Sequence, residues 1–320
     1  MEEVKLDLKD RKILYELDRD ARQSNSEIAK KVGLNKNTVN YKINRMTEEG
    51  VISGYYATID SSKLGYFSVR IYLKFSNTKP ENEEKVIHWL KENKIVGVIA
   101  RIETIYDLVI MTWVKDIYEF EDFWGEFKRK FREYFWQEQV HIFSSVLHFK
   151  RKYLLPENKK EHREFESIGG REKVNYDELD IKILRLIAKN ARMPLIEMAD
   201  KLKADDRTIA FRIKQLEKKR VIQGYRVNLN LAKISYEYYK VNFILNDYSK
   251  YDQLQSFCEN HINVIYIDKT LEDLDFEIDV ETKNKEELFK LIKEIKEKFN
   301  IREVEILTFD KYIKLESLPQ

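Results

Sequence analysis

Ten consecutive positions, Lys36 to Arg45, carry hydrogen-bond donors and positive charge without one carboxylate: Lys36, Asn37, Thr38, Asn40, Tyr41, Lys42, Asn44 and Arg45 supply them. Asparagine amides match the N6/N7 edge of adenine, while lysine and arginine suit guanine edges or phosphates, so this set fits the major groove of duplex DNA. A second set lies 170 positions later, with Arg207, Thr208, Arg212, Lys214 and Gln215 at the equivalent places. There Asp205 and Asp206 precede the cations. One aspartate serves as a helix N-cap, but two repel nearby phosphates, so the first set is the expected chief reader of bases.

Such side chains need a helix presented at a fixed angle, and the flanking sequence provides one. Ile28, Ala29 and Val32 have helical spacing, Gly33 interrupts, and Val39, Ile43 and Met46 resume the period on a second helix. A small residue, a turn glycine and a branched apolar residue in that order describe a helix-turn-helix. Asp7 and Asp10 cap a preceding helix over about residues 8–20, and Ser24 with Glu27 forms a capping box. Residues 51–59 alternate like a short hairpin, which predicts a wing near Ser53 and Gly54 able to touch the DNA backbone.

After Leu64 and Gly65 the pattern changes to strand, helix, two strands, helix and strand, the split ferredoxin-like βαββαβ order. Its sheet has helices on one face and leaves the other for a partner. Residues 151–176, with Pro156, Gly169, Gly170 and mixed charge, read as a connection that is partly helical over 158–166. The first half then returns. Residues 7–55 match 177–225 without a gap, sixteen of forty-nine positions being identical. Weaker similarity continues, Thr104, Asp107 and Leu108 answering Thr270, Asp273 and Leu274 at a separation of 166. The chain is therefore a tandem α+β protein: winged helix 1–64, ferredoxin-like domain 65–150, connection 151–176, winged helix 177–234 and ferredoxin-like domain 235–320.

Composition bounds the function. The net charge is only +2 with 36% charged residues, so affinity for nucleic acid has to come from local basic faces. The single cysteine, Cys258, excludes an intramolecular disulfide framework and fits a reducing compartment. No secretory pattern is seen in MEEVKLDLKD and no apolar run approaches the ~20 residues of a membrane helix, so a cytoplasmic protein without membrane partners is expected.

The stretch TVNYKINRMTEEGVISGYYATID, repeated as TIAFRIKQLEKKRVIQGYRVNLN, resembles the leucine-responsive/asparagine-synthesis (Lrp/AsnC) family of transcription regulators. The resemblance implies a winged helix joined to an α+β domain that dimerises and senses small molecules, often amino acids. Double-stranded DNA is then the partner, two units of one chain form an intrachain pseudo-dimer, and the long connection equally permits exchange into a homo-oligomer. A regulator bound to one face of DNA needs recognition helices about one helical turn apart, roughly 34 Å, and a tandem duplication can provide that without a second chain. Departures are visible: Lys203 and Arg220 stand where the first unit has Gly33 and Gly50, and a side chain at a φ > 0 turn costs roughly 1 kcal/mol, which predicts a remodelled second turn. The glycine the family carries shortly before the sensing aspartate is missing ahead of Asp107 and Asp273.

Asp107 and Asp273 are the candidate effector residues, with an ordinary turn role the more economical assignment. His141 and His148, seven apart on one strand, should face opposite ways, and no ligand pair has zinc spacing, so neither a metal nor another cofactor is expected. The aromatic run from Trp113 through Phe120, Phe123, Trp124, Phe127, Phe131, Phe135 and Trp136 has core spacing. Some relatives of this layout are haem-pathway decarboxylases acting on sirohaem with arginine and histidine around the sheet, for which Arg101 and His148 are the nearest candidates. Without a clustered Arg/His motif, no catalytic residue and no enzyme activity are assigned. A sensor or assembly module that does not bind DNA is the third alternative.

Overall fold

The computed structural model describes residues 3–156, 163–271, 274–316 and 318. Helix starts follow their caps. Asp7 exchanges capping bonds with Asp10 at α1 (Leu8–Arg19), Ser24 with Glu27 at α2 (Asn25–Val32), and Asn35 accepts from the Thr38 amide at α3 (Lys36–Glu48). Each satisfies donors that a first helical turn leaves open. Then come β1 (Ile52–Ile59), β2 (Phe67–Phe75), α4 (Pro80–Glu92), β3 (Val96–Ile102), β4 (Leu108–Val114), α5 (Ile117–Phe131) and β5 (Phe135–Phe149). After β6 (Phe165–Gly169) the order repeats as α6 (Glu178–Lys189), α7 (Leu195–Leu202), α8 (Asp206–Lys218), β7 (Ile222–Leu229), β8 (Glu237–Leu245), α9 (Tyr251–Asn260), β9 (Val264–Leu271), β10 (Phe276–Thr282), α10 (Lys285–Phe299) and β11 (Ile301–Leu315). The protein is α+β, with two helix-turn-helix units and two βαββαβ units. In the connection, residues expected to be helical include Phe165 and Glu166, which instead belong to a strand paired with the end of β5; residues 157–162 lie outside the described ones.

The expected wing hairpin is a single strand. β1 pairs antiparallel with β7, its own counterpart in the second unit, along Gly54–Asn228 to Thr58–Gly224. The exchange reaches the cores. Val227 and Leu229 of β7 pack with Ile13, Leu17, Val39 and Met46 of the first helical unit, while Ala57 and Ile59 of β1 pack with Ile183, Ile187, Ile209 and Leu216 of the second. Burying a core-sized aliphatic side chain contributes on the order of 2 kcal/mol, so each unit takes part of its core from the other. The junction repeats itself: the Ala21 amide donates to Tyr225 O (2.9 Å) and the Ala191 amide to Tyr55 O (3.0 Å). Arg22 sits over the Tyr225 ring and Arg192 over the Tyr55 ring.

The two βαββαβ units also merge. Fifteen-residue β5 pairs with β2 of its own unit up to Ile142 and with β9 of the other from there to His148, and β11 does the reciprocal with β8 and β3. With β2 bonded to both β4 and β5, eight strands close into a ring in the order β2-β4-β3-β11-β8-β10-β9-β5, and β6 adds to β5 outside it. Closure leaves no free sheet edge among those eight strands. Helices cover the outside: Phe120, Phe123, Phe127 and Phe131 of α5 pack on Val69, Ile71 and Ile110, so the aromatic run is core of the first unit except at its ends, where Trp113 is buried against Gly97 outside that cluster and Trp136 is exposed. Cys258 lies on the buried face of α9, and that burial pushes its thiol upward.

Alternate residues point into the ring, and there the two halves differ. Arg70 and Lys240 are equivalent positions, yet Arg70 lies opposite Met111 and Lys240 opposite Asp279. One pair along, Val109 faces Ala100 where Glu277 faces Asp268. Both cations turn to the acidic half. Arg70 bonds Glu277 and reaches Asp268 at 3.1 Å, and Lys240 meets Asp268 at 2.6 Å and Asp279 at 2.9 Å. Burial pushes the Asp279 carboxyl up to about 6 against the opposing pull of Lys240.

A second buried network ties ring to helices. Asp18 of α1 accepts from Arg226 of β7 (2.8 and 2.9 Å from Nη2) and from Arg151 Nη1 (2.8 Å). Arg151 forks onto Glu281 of β10 (2.9 and 3.0 Å), and Arg226 reaches Glu166 of β6 (3.2 Å). His148 lies within this network, its ring stacked on Tyr266 and its Nδ1 4.0 Å from Glu166. A register shift in β5 between Phe143 and Ser145 changes the alternation, so His141 and His148 share the inward face instead of opposing each other. Burial first, then nearby arginines, lower both imidazoles, His141 to about 3.

Candidate nucleic-acid interface

Asn35 at the cap and Val39, Ile43 and Met46 on the buried side orient α3 so that Lys36, Asn37, Asn40, Tyr41 and Asn44 are exposed. Tyr41 is 67% exposed, and its counterpart Phe211 on α8 is 59% exposed. Each recognition helix therefore holds out one aromatic ring. On α8 the exposed polar set is Arg207, Thr208 and Lys214, with Gln215 half-buried. Asp205 is the N-cap, accepting from the Arg207 and Thr208 amides. Asp206 starts the helix and remains exposed.

Three of the residues expected at the DNA are occupied within the fold. Lys42 Nζ meets Asp7 at 2.7 Å and Asp10 at 2.9 Å, and Arg45 Nη2 meets Asp10 at 2.8 Å. Asp10 is 1% exposed, so these cations neutralise a buried carboxylate of the α1 capping box. The bond from Lys42, ahead of other causes, holds the Asp7 carboxyl at about 2. For Lys42 itself burial acts downward, and its bonds to Asp7 and Asp10 outweigh it to raise the ammonium. In the second unit Arg212, equivalent to Lys42, meets Asp177 at 2.7 Å and Asp180 at 3.4 Å. The same clamp thus appears twice.

The two turns have one backbone despite their sequences. Gly33 has φ 65° and ψ 53°, and Lys203 has φ 51° and ψ 46°; Arg220 at φ 59° likewise follows Gly50 at φ 75°. The expected remodelling does not occur: the same backbone bonds close each pair of turns, Leu34 to Ala29 O like Ala204 to Ala199 O, and Val51 to Met46 O like Val221 to Leu216 O, and they hold a lysine and an arginine in the left-handed region.

Beside α3 a cleft of about 660 Å³ opens toward the second unit, with Asn25, Asn40, Asn44, Tyr55, Asn190 and Arg192 among its walls. Asn25 and Arg192 lie outside the set that the sequence points to for base reading. Arg192 Nη2 donates to Asn25 Oδ1 (3.0 Å), and Asn25 Nδ2 donates to Asn40 Oδ1 (3.1 Å). The only signal in the sequence is the Arg22/Arg192 identity of the repeat.

The other candidates separate. The Asp107 amide donates to Leu73 O and its Oδ2 accepts from the Phe75 amide at 2.8 Å. The Asp275 amide donates to Phe243 O and its Oδ2 accepts from the Leu245 amide at 2.7 Å. Asp275, and not Asp273, is thus the structural counterpart of Asp107, and Asp273 lies outside the described residues. Asp107 and Asp275 both serve strand ends. Arg101 pairs with Glu83 of α4 (3.0 Å), whereas His148 is in the Asp18–Arg226 network, so these two do not form one site.

Comparison with known proteins fits this arrangement. A model of winged helix-turn-helix DNA-binding domains matches residues 6–53 and again 176–223. The HTH-type transcriptional regulator LrpA of Pyrococcus horikoshii is 33% identical over 111 residues, 35% of this chain and 77% of that protein. The HTH-type transcriptional regulator Ptr1 of Methanocaldococcus jannaschii is 34% identical over 121 residues, 38% of this chain and 80% of that protein. The chain belongs to the Lrp/AsnC family of transcriptional regulators. Within that family it carries the helix-turn-helix twice. Over 96% of its length it is also similar in fold to the crystal structure of the siroheme decarboxylase NirDL, with a TM-score of 0.63, 93% of that chain covered and 15% identity, a likeness of fold alone. Among the described residues no helix is long and apolar enough to cross a membrane.

Proposed function

We propose that the protein is a DNA-binding transcriptional regulator in which one polypeptide supplies both members of a reading pair. The observation that carries this is the exposed, carboxylate-free face of α3 from Lys36 to Asn44, set beside a second recognition helix by the β1–β7 ribbon. Base and phosphate recognition falls to Lys36, Asn37, Asn40, Tyr41 and Asn44 on α3 and to Arg207, Thr208 and Lys214 on α8. Lys42, Arg45 and Arg212 hold the helices in place. The rival reading, an enzyme on this fold, has the polar ring interior in its favour. There Arg70 and Lys240 are already engaged by Asp268, Glu277 and Asp279 of the same chain, so neither cation is left over for an acidic substrate.

Fluorescence anisotropy with a labelled 30-base-pair duplex across a salt series tests this reading. Affinity should fall steeply with salt, and Lys36→Glu or Arg207→Glu should weaken binding and lower the log–log slope by about 1 for each phosphate left without its cation. Negligible, salt-insensitive binding to every duplex would reject it. A Soret band in the purified protein would favour the enzyme.

A further inference from the structure

We infer that the protein recognises a non-palindromic duplex site in one orientation, with adenine read in the half under α3 and guanine in the half under α8. This deepens the DNA-binding reading and rests on it. A homodimer repeats one recognition face and so requires a site that repeats with it. Here the two faces are fixed in one chain and differ at the positions that project outward: Asn37 against Arg207, Asn40 against Ala210, Asn44 against Lys214. An asparagine amide presents one acceptor and one donor, which match N6–H and N7 of adenine. An arginine or lysine presents donors only, which match O6 and N7 of guanine. Ala210 offers a methyl group and can meet only the methyl of thymine.

The difference extends beneath the surface. Asn40 is braced by the relay from Arg192 through Asn25, and Arg192 belongs to the other unit. The relay occupies one lone pair of Asn40 Oδ1 and leaves the second lone pair and both Nδ2 hydrogens for a base. Holding the amide before DNA arrives reduces the side-chain freedom lost on binding. The same relay cannot form on α8: Leu195 and Ala210 replace Asn25 and Asn40, and Arg22, the equivalent of Arg192, donates instead to Ala191 O at 2.8 Å. Arg192 and Asn25 act as positioning residues for adenine discrimination in the first half-site only.

Selection from a duplex library with 24 randomised base pairs, using the full chain, tests the inference, followed by anisotropy at one salt concentration. The expected product has adenine in one half and guanine in the other. Two derived duplexes, each repeating one half as an inverted repeat, should bind about tenfold or more weakly than the selected site, the scale of one missing bidentate base pairing. Asn40→Ala should weaken adenine preference and leave guanine preference intact, and Arg207→Ala should do the reverse. Asn25→Leu and Arg192→Ala should each lower the adenine preference several-fold without changing the salt slope, a readout that loss of folding would not leave untouched. An enriched palindrome, an inverted repeat that binds as tightly as the selected site, or salt-dependent binding with no motif would overturn the asymmetry alone. Salt-insensitive, negligible binding of the whole library would overturn the DNA reading, and the asymmetry with it.

Discussion

Replacing Asp18 by asparagine keeps the side chain's shape and removes the charge at the centre of the network between ring and helices. Asp18 and Arg226 are both 0% exposed. Asp18 accepts from Arg226 Nη2 at 2.8 and 2.9 Å, from Arg151 Nη1 at 2.8 Å and from the Arg151 amide at 2.8 Å. Removing one partner of a buried pair costs roughly 3–5 kcal/mol, because the other charge stays buried without compensation. Arg226 retains Glu166 and Arg151 retains Glu281, so the lower end, about 3 kcal/mol, is expected. At about 2–3 °C per kcal/mol for a chain of this size, the melting temperature should fall by roughly 5–10 °C at pH 7. Burial raises this carboxyl, but Arg226, then Arg151 and Lys150, outweigh it and hold it at about 2, against 3.8 without the fold. A depressed carboxyl stabilises fully above about pH 4 and loses that contribution as pH falls toward 2, a span of about 2 kcal/mol. The wild type and Asp18→Asn should therefore converge as pH falls through that window. Urea unfolding at pH 7, 4, 3 and 2.5 reads both quantities, with Lys293→Ala, from an exposed pair at 3.8 Å, as a control expected to change stability by about 0.5 kcal/mol or less. A loss below about 1 kcal/mol at pH 7, or a gap that stays constant to pH 2.5, would refute the electrostatic account.

Two further outcomes test packing and backbone. A Cβ at Gly97 would lie 1.6 Å from the Trp113 ring, so Gly97→Ala should destabilise by about 1–3 kcal/mol or more, and adding Trp113→Leu should recover part of the loss in calorimetry. Lys203 and Arg220 hold positive φ, so Lys203→Gly and Arg220→Gly should each stabilise by up to about 1 kcal/mol, with additive shifts in the urea midpoint.

Much of the architecture could be read because local signals repeat. Asp7 with Asp10, Ser24 with Glu27 and Asp177 with Asp180 mark helix starts in the sequence and form capping boxes in the structure. What escaped depends on distant pairing. The alternation of residues 51–59 is the same whether the partner strand follows at once or lies 170 positions away, so β1 passed for a hairpin. Lys42 and Arg45 have the composition of a DNA-binding face, while their partner Asp10 is more than thirty positions earlier. The recurrence of Asp7, Asp10 and Lys42 as Asp177, Asp180 and Arg212 is the available clue. Matching Asp107 to Asp273 follows a short motif, whereas strand register pairs it with Asp275. One irregularity in β5 turns His148 inward. Asn40 is legible as a reader, but the brace on it crosses two units and is marked in the sequence only by the Arg22/Arg192 identity.

The unequal lining of the ring bears on why the two units share one chain. If first halves paired with each other, each Arg70 would face the apolar equivalents of the acids it now meets, Ala100 and Val109 in place of Asp268 and Glu277. If second halves did so, two copies of Asp268, Glu277 and Asp279 would crowd one interior with only two copies of Lys240 to oppose them. Both like-with-like assemblies bury a larger excess of one sign than the mixed one, in which two cations meet three carboxylates. Once the lining had diverged in this way, separate genes would have yielded an obligate heterodimer. Fusion guarantees equal supply of the two halves and makes every later change in one recognition helix independent of the other.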